Sequence, residues 1–277
     1  MSVRWMKFAG VLMGTALTQA SSAAPVAFDG FESYAANSAL NAGNAGTNST
    51  GSNGEFGWTA DWIGVTGVNV RSGFLGAGTQ LAEVDDATAS TTAATRTFTP
   101  QTGTVYFSVI FRGAAGLEAS DFIHFYLANA AGNGNSGGIG LLTTTDNKLG
   151  ARVGGTNGGT TVSSSIDALA GSSYLLVGKL SKTSGGNYNR IDLFVNPPDL
   201  NEPGTAAATQ AADSGVATVS LLGLRTFQTD VGDKYQFDDV RIGTSFADVV
   251  PEPGSVGVLG AAGLMWLGRR RRAATSR

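Results

Sequence analysis

The 277-residue sequence predicts an all-β protein, an antiparallel jelly-roll β-sandwich, and three observations lead there. Short apolar runs with period-2 alternation recur along the middle of the chain. Clusters of Gly, Asn and Ser, such as residues 132–138 and 184–187, punctuate them as turns. No stretch of the middle keeps the 3.6-residue period of a long helix.

Eight runs carry the strands most clearly. Residues 80–84, 104–112, 121–128 and 148–153 come first, followed by 173–180, 189–196, 217–225 and 235–242. Within residues 121–128, Ile123, Phe125 and Leu127 fall on one side, and Phe122, His124 and Tyr126 on the other. In residues 189–196, Leu193 and Val195 alternate with Asp192, Phe194 and Asn196. Two sheets packed through their aliphatic sides account for a core, and the aromatic and polar sides suit a sheet turned toward a ligand. Residues 35–57, low in complexity, read as a surface loop. Residues 196–215, with Pro197, Pro198 and Pro203, read as a second long connection without helix or repeat.

Composition excludes several functions. Charged residues are only 14% of the chain, against roughly 25% in an average soluble protein. Between residues 24 and 250 there are 11 basic and 20 acidic side chains, a net of −9. Such a body lacks the basic patches that nucleic acid requires. The absence of cysteine removes disulfides, thiolate zinc sites and thiol nucleophiles, and the single His124 removes a histidine-rich zinc site.

The two ends read as processing signals. Arg4 and Lys7 precede an apolar stretch over residues 8–17, and small residues follow to Ala24. This is the pattern of a secretory signal peptide, assigned to residues 1–23, and the apolar stretch is short of the ~20 residues of a span. At the other end, Pro251-Glu252-Pro253-Gly254 leads into an apolar run over residues 256–267, then Arg269, Arg270, Arg271 and Arg272. As a helix that run reaches about 18 Å, against ~30 Å of hydrocarbon, so it is a marginal membrane span whose arginines stay cytoplasmic. The divisions expected are thus 1–23, a sandwich over 24–248, and a sorting and anchor segment over 249–277.

The tail resembles the PEP-CTERM family of sorting signals, with the Pro-Glu-Pro motif, short apolar segment and arginine cluster in that order. The resemblance implies an exosortase-type transpeptidase that recognises Pro251, Glu252 and Pro253, transient membrane tethering through a C-terminal transmembrane helix, and export to the surface of a bacterium that secretes exopolysaccharide. The body is also similar to a known class. Phe28-Asp-Gly-Phe31, residues 174–180, residues 191–197 and Phe237-Asp-Asp-Val-Arg-Ile-Gly-Thr244 resemble segments of laminin-G-like, concanavalin A-like jelly-roll domains of exported bacterial proteins.

Three constellations carry side chains suited to chemistry or binding. Glu83 and Asp85 share a strand face, as the carboxylates of jelly-roll glucanases do, but Ala87 and Thr88 stand where those enzymes place a last Glu. A glycoside hydrolase of the concanavalin A-like class is therefore the alternative, with Asp121 and Asp192 as its remaining carboxylates, and a non-enzymatic role is the expectation. Asp230, Asp233, Asp238 and Asp239 flank a late strand and are the candidate ligands for Ca²⁺, the one cofactor considered. Trp58, Trp62, His124 and Tyr126 are the candidates for stacking on sugar rings. The function expected is an exported surface or matrix protein, sorted by an exosortase, whose body binds glycan such as exopolysaccharide or serves a structural role.

Overall fold

The computed structural model describes residues 24–40, 55–64, 67–73, 75–76, 78–85, 93–130, 137–142, 145–154, 159–199 and 203–251. Residues 1–23, where a signal peptide is expected, Glu252, Pro253, the apolar run 256–267 and Arg269 to Arg272 lie outside them. Among the described residues no helix is long and apolar enough to cross a membrane.

Alternation of apolar and polar residues gives most of the strands, and pairing with neighbours the rest: β1 Ala27–Asp29, β2 Ile63–Gly64, β3 Val68–Ser72, β4 Gln80–Asp85, β5 Ala93–Gln101, β6 Val105–Ala115, β7 Phe122–Ala128 and β8 Gly137–Leu141. They continue with β9 Lys148–Val153, β10 Thr160–Asp167, β11 Ser173–Ser181, β12 Arg190–Val195, β13 Ala208–Ala211, β14 Val219–Phe227 and β15 Lys234–Gly243. The first sheet runs β13-β12-β11-β6-β15-β4-β3, with β1 also paired to β15; the second runs β10-β9-β8-β7-β14-β5-β2. Adjacent strands are antiparallel, and the two sheets form a sandwich. The connection over 196–215 contains β13, which pairs with β12 and buries Ala208 and Gln210 at alternate positions. Its short alternating stretch, Ala208-Thr-Gln-Ala211, is too weak in apolar content to stand out among prolines.

Period-2 alternation sends Ile123, Phe125 and Leu127 of β7 and Leu222 and Leu224 of β14 inward from the second sheet. Phe107, Val109 and Phe111 of β6 and Phe237 of β15 meet them from the first. Phe125 lies 6.2 Å from Phe111 and 5.5 Å from Phe237, both edge-on, so the sheets interdigitate through aromatic rings.

One inward cluster is ionic. Asp29 of β1 and Arg96 of β5 belong to different sheets, and their side chains, 0% and 1% exposed, form a close ion pair. Asp29 also accepts from the Phe31 amide at 3.0 Å, Trp62 Nε1 at 2.7 Å and the Tyr34 hydroxyl at 3.3 Å. Arg96 donates from Nε to the Ala60 carbonyl at 3.1 Å and from Nη1 to Tyr34 at 2.9 Å, and it lies over the Trp58 ring. A buried pair survives only when its desolvation is offset by such hydrogen bonds, and loss of one partner strands the other charge. Glu55 stands beside this cluster, accepting from Ser33 Oγ at 2.6 Å. Burial and then the Asp29 charge push its carboxyl up to about 7.

Strand β15 forks. Lys234 to Phe237 pair with β4, and Val240 to Ile242 pair with β1. Between them the register against β6 shifts and Asp239 takes a φ of +50°, a β-bulge. After β15 the chain folds back on the outer side of the first sheet. There Phe246, Val249 and Val250 pack with Val177 and Phe194. Ser108 Oγ donates to the Val249 carbonyl at 2.5 Å, and Asp248 accepts from the Thr244 and Ser245 amides. Packing of the body therefore continues through Val250, two residues past the boundary at 248.

Two outcomes are expected. Arg96→Met leaves Asp29 buried without its cation and costs about 3–5 kcal/mol in denaturant unfolding. Arg190→Gln, removing a half-exposed partner of Asp192, costs under about 1 kcal/mol. Equal losses would contradict the role given to Arg96. For Glu55, a folded value above the ordinary 4.5 means that the stability it contributes is present below pH 4.5 and lost as pH rises through 7. Melts of wild type and Glu55→Gln should therefore diverge between pH 4.5 and 8, with the variant gaining at most roughly 3 kcal/mol. Parallel curves would contradict this.

Candidate functional site

The two tryptophans expected to stack on sugar are core residues. Trp58 and Trp62 are 3% and 1% exposed, and their indole N–H groups donate to the Phe28 carbonyl and to Asp29. Their even spacing does put them together, 6.3 Å apart, but facing inward. An indole can be buried once its one donor is satisfied, and here both are.

His124 and Tyr126 lie elsewhere, on the outer side of the second sheet. Strand β7 carries Phe122, His124 and Tyr126 there in sequence, with centroids 5.7 Å and 5.2 Å apart. The neighbouring strands supply glycine opposite the rings: Tyr126 pairs with Gly138 of β8 and Gly223 of β14, and His124 pairs with Gly140 of β8. A Cβ on Gly223 would sit 2.2 Å from the Tyr126 ring, and one on Gly138 would sit 2.2 Å from His124 Nε2. The glycines are thus what lets these rings lie down across the neighbouring strands. Gly150 of β9, opposite Gly140, continues the floor.

Two arginines rise beside it. Arg225 of β14 is directly opposite His124, and Arg152 of β9 is opposite Gly138. The Arg152 guanidinium lies 5.8 Å from the Phe122 ring centroid and donates to Thr161 Oγ1 at 3.3 Å. His124 is 1% exposed, and its Nε2 has no hydrogen-bond partner among the described residues. Burial, then the charges of Arg152 and Arg225, hold its imidazole down to about 3, so the ring is neutral at physiological pH. Burial pushes the Tyr126 phenol up, with Arg225 opposing. The rings are too covered to offer open stacking faces, the glycines beneath them are buried, and the half-buried arginines are the parts presented outward. Sequence reasoning missed Arg152, Arg225 and the glycine row. Their signal was the polar side of the Lys148–Val153 alternation, Lys148, Gly150 and Arg152, set against Leu149, Ala151 and Val153.

The carboxylates weighed for hydrolysis are engaged. Glu83 and Asp85 share the outer side of the first sheet, where Arg71 binds both, Gln236 donates to Glu83 at 2.7 Å, and Lys234 reaches Asp85. Asp121 accepts from the Tyr235 hydroxyl at 2.6 Å, and Asp192 is paired to Arg190. A polar cavity of about 480 Å³ lies at another edge, lined by Thr183, Gly185, Asn187, Asn189 and Asp213 among others.

The four aspartates considered for calcium divide into two pairs. Asp230 and Asp233 close the turn before β15, where Asp233 accepts from the Asp230 amide at 2.5 Å. Asp238 and Asp239 occupy the bulge, about 17 Å further along an extended strand. Among the described residues no three His, Asp or Glu side chains converge as metal ligands. The bulge pair alone fits a cation in part. Both carboxylates are buried, and Asp238 is pushed up to about 7 by burial and by Asp239, with Glu32 adding to the repulsion. Gly76 approaches so closely that a Cβ there would lie 2.3 Å from Asp239 Oδ2. Backbone carbonyls and water would have to complete the shell of six to eight oxygens.

No family model matches the chain, and no curated protein matches it. Solved structures give distant likenesses. The endo-β-1,4-glucuronan lyase of the fungus Trichoderma reesei is 16% identical, with 77% of this chain and 96% of that one covered and a TM-score of 0.46. The carbohydrate-binding module CBM66 of Bacillus subtilis is 11% identical over 66% and 94%, at 0.41. A structure of botulinum neurotoxin type C, described as entering cells through interaction with two ganglioside molecules, is 10% identical over 83% and 51%, at 0.48. The chain spans about half of that neurotoxin chain.

The bulge pair yields a direct expectation. If the bulge pair holds calcium, millimolar calcium added after chelator treatment raises the melting temperature by several degrees, as a native-state ligand at a hundredfold excess over Kd adds ~2.7 kcal/mol. Asp239→Asn abolishes the rise, whereas Asp230→Asn leaves it intact. A melt indifferent to calcium returns Asp238 and Asp239 to a purely structural role in the bulge.

Proposed function

We propose that this chain is an exported surface or matrix protein, processed at its Pro-Glu-Pro tail by an exosortase-type transpeptidase, whose non-catalytic jelly-roll body binds glycan on the outer side of the second sheet. The observation that carries the binding role is the gathering of half-buried Arg152 and Arg225 beside the aromatic row Phe122, His124 and Tyr126 on one sheet face. It presents two multidentate guanidinium donors on one face, suited to hydroxyl-rich units. The binding role is preferred to the hydrolase alternative, a preference supported by the engagement of both Glu83 and Asp85 by Arg71.

The sorting role is supported by the order of its three sequence parts. It is also consistent with the packing, since Val250 is the last residue of the buried C-terminal cluster and Pro251, half-buried, follows it directly. The apolar run and the arginines hold the precursor in the membrane, and cleavage near the motif frees the body.

Replacing Pro251, Glu252 and Pro253 with alanine should leave an intact, membrane-held precursor in a host that carries the transpeptidase. Fractionation and immunoblotting check this. Release of the mutant body into the medium at the wild-type level would overturn the sorting role.

A further inference from the structure

The chain doubles back on its own body after β15. Asp248 accepts from the Thr244 amide at 2.9 Å and the Ser245 amide at 2.8 Å, and this local bonding reverses the chain. Residues 246–250 then lie as a strap on the outer side of the first sheet. The Phe246 ring stands edge-on to Tyr106 of β6 and Phe194 of β12, 6.2 Å from each. Val249 and Val250 are buried in the same cluster as Val177 of β11 and Phe194. Ser108 Oγ of β6 donates to the Val249 carbonyl at 2.5 Å. The docking also carries a cost, because Asp248 Oδ1 is buried with no hydrogen-bond partner among the described residues. An unpaired buried acceptor opposes the packing that covers it, so polar loss offsets part of the apolar gain.

The strap runs directly into Pro251, which is half-buried. A peptide bond next to packed structure is reached by an enzyme through local opening, and its cleavage then follows the open fraction. We propose that the strap is an autoinhibitory clasp on its own processing site. While residues 246–250 are docked, the transpeptidase cannot engage Pro251 together with the residues before it, and cleavage proceeds from molecules in which the strap has lifted. The inference rests on the sorting role given above and adds its regulation. Lifting breaks the contacts of Phe246, Val249 and Val250 and the Ser108 hydrogen bond, but no strand pairing, since β15 ends at Gly243. It is a local event that leaves both sheets intact.

The test is a pulse-chase of the full chain in a host that carries the transpeptidase, read as the rate at which precursor becomes released body. The informative variants sit on the body, far from the motif in sequence, so they leave its recognition untouched. Ser108→Ala removes the hydrogen bond to Val249 and should raise the rate about fivefold, the ordinary net effect of one hydrogen bond. Phe194→Ala removes an edge-on partner of Phe246 and should raise it by about tenfold or more. Tyr235→Phe deletes a buried hydroxyl at the other end of β15 and should leave the rate unchanged. Melts of all three separate strap release from global loss of stability, and Ser108→Ala carries the comparison if Phe194→Ala does not fold. A short Gly-Ser insertion between Val250 and Pro251 carries the motif clear of the strap. It should speed processing and erase the effect of both body variants. Processing of Ser108→Ala and Phe194→Ala at or below the wild-type rate overturns the clasp and leaves the sorting role standing. So does a gain in Tyr235→Phe equal to theirs, or an insertion that keeps their effect. No processing of any form overturns both.

Discussion

The Asp29–Arg96 pair is the constraint around which the rest of the sandwich is arranged. Sheets of a sandwich ordinarily meet through apolar side chains, whose attraction is not directional. Here a carboxylate from one sheet and a guanidinium from the other meet inside the core, and that contact fixes how the sheets sit. The surrounding donors and acceptors are drawn from segments far apart in sequence: Phe31 and Tyr34, then Ala60 and Trp62. Irregular chain is tied down by polar contacts that a purely apolar core could not provide, and Trp58 and Trp62 are consumed in the process.

With the interior so specified, the two outer sides diverge. On the first sheet, Arg71, Glu83, Gln236 and Arg112 satisfy one another, and the C-terminal residues through Val250 cover an adjoining apolar patch. That side is closed by its own chain. On the second sheet, large and absent side chains alternate between strands, so the rings of β7 rest over glycines. The orphan Nε2 of His124 belongs to the same arrangement, and burial, then the charges of Arg152 and Arg225, lowers its basicity.

Much of the fold was legible because burial on one side imposes a period of two. The run over 148–153 coincides with β9, and the facing of Ile123, Phe125 and Leu127 follows from alternation alone. What was illegible lacked that signal. Strand β8, Gly137–Leu141, is mostly glycine, and β10 is largely Ser and Thr; both owe their conformation to pairing partners rather than to their own side chains. The site was less legible than the fold. Spacing placed Trp58 and Trp62 on one side, but which side faced the core depended on Asp29 and Phe28, some thirty residues earlier. The four aspartates were close in sequence, and extension of the strand separated them. Arg152 and Arg225 are 73 positions apart, and only the order β9-β8-β7-β14 brings them to one face.

The central claim is that the glycine-floored side of the second sheet is the ligand face. Titration of ¹⁵N-labelled protein with glycan oligosaccharides, read at the amides of the glycines beneath the β7 rings, tests it most directly. The account predicts that Gly138, Gly140, Gly150 and Gly223 shift together and saturate, while Gly185 and Gly186, in the polar cavity at the other edge, stay still. Shifts confined to Gly185 and Gly186, or no shift at any glycine, would contradict it.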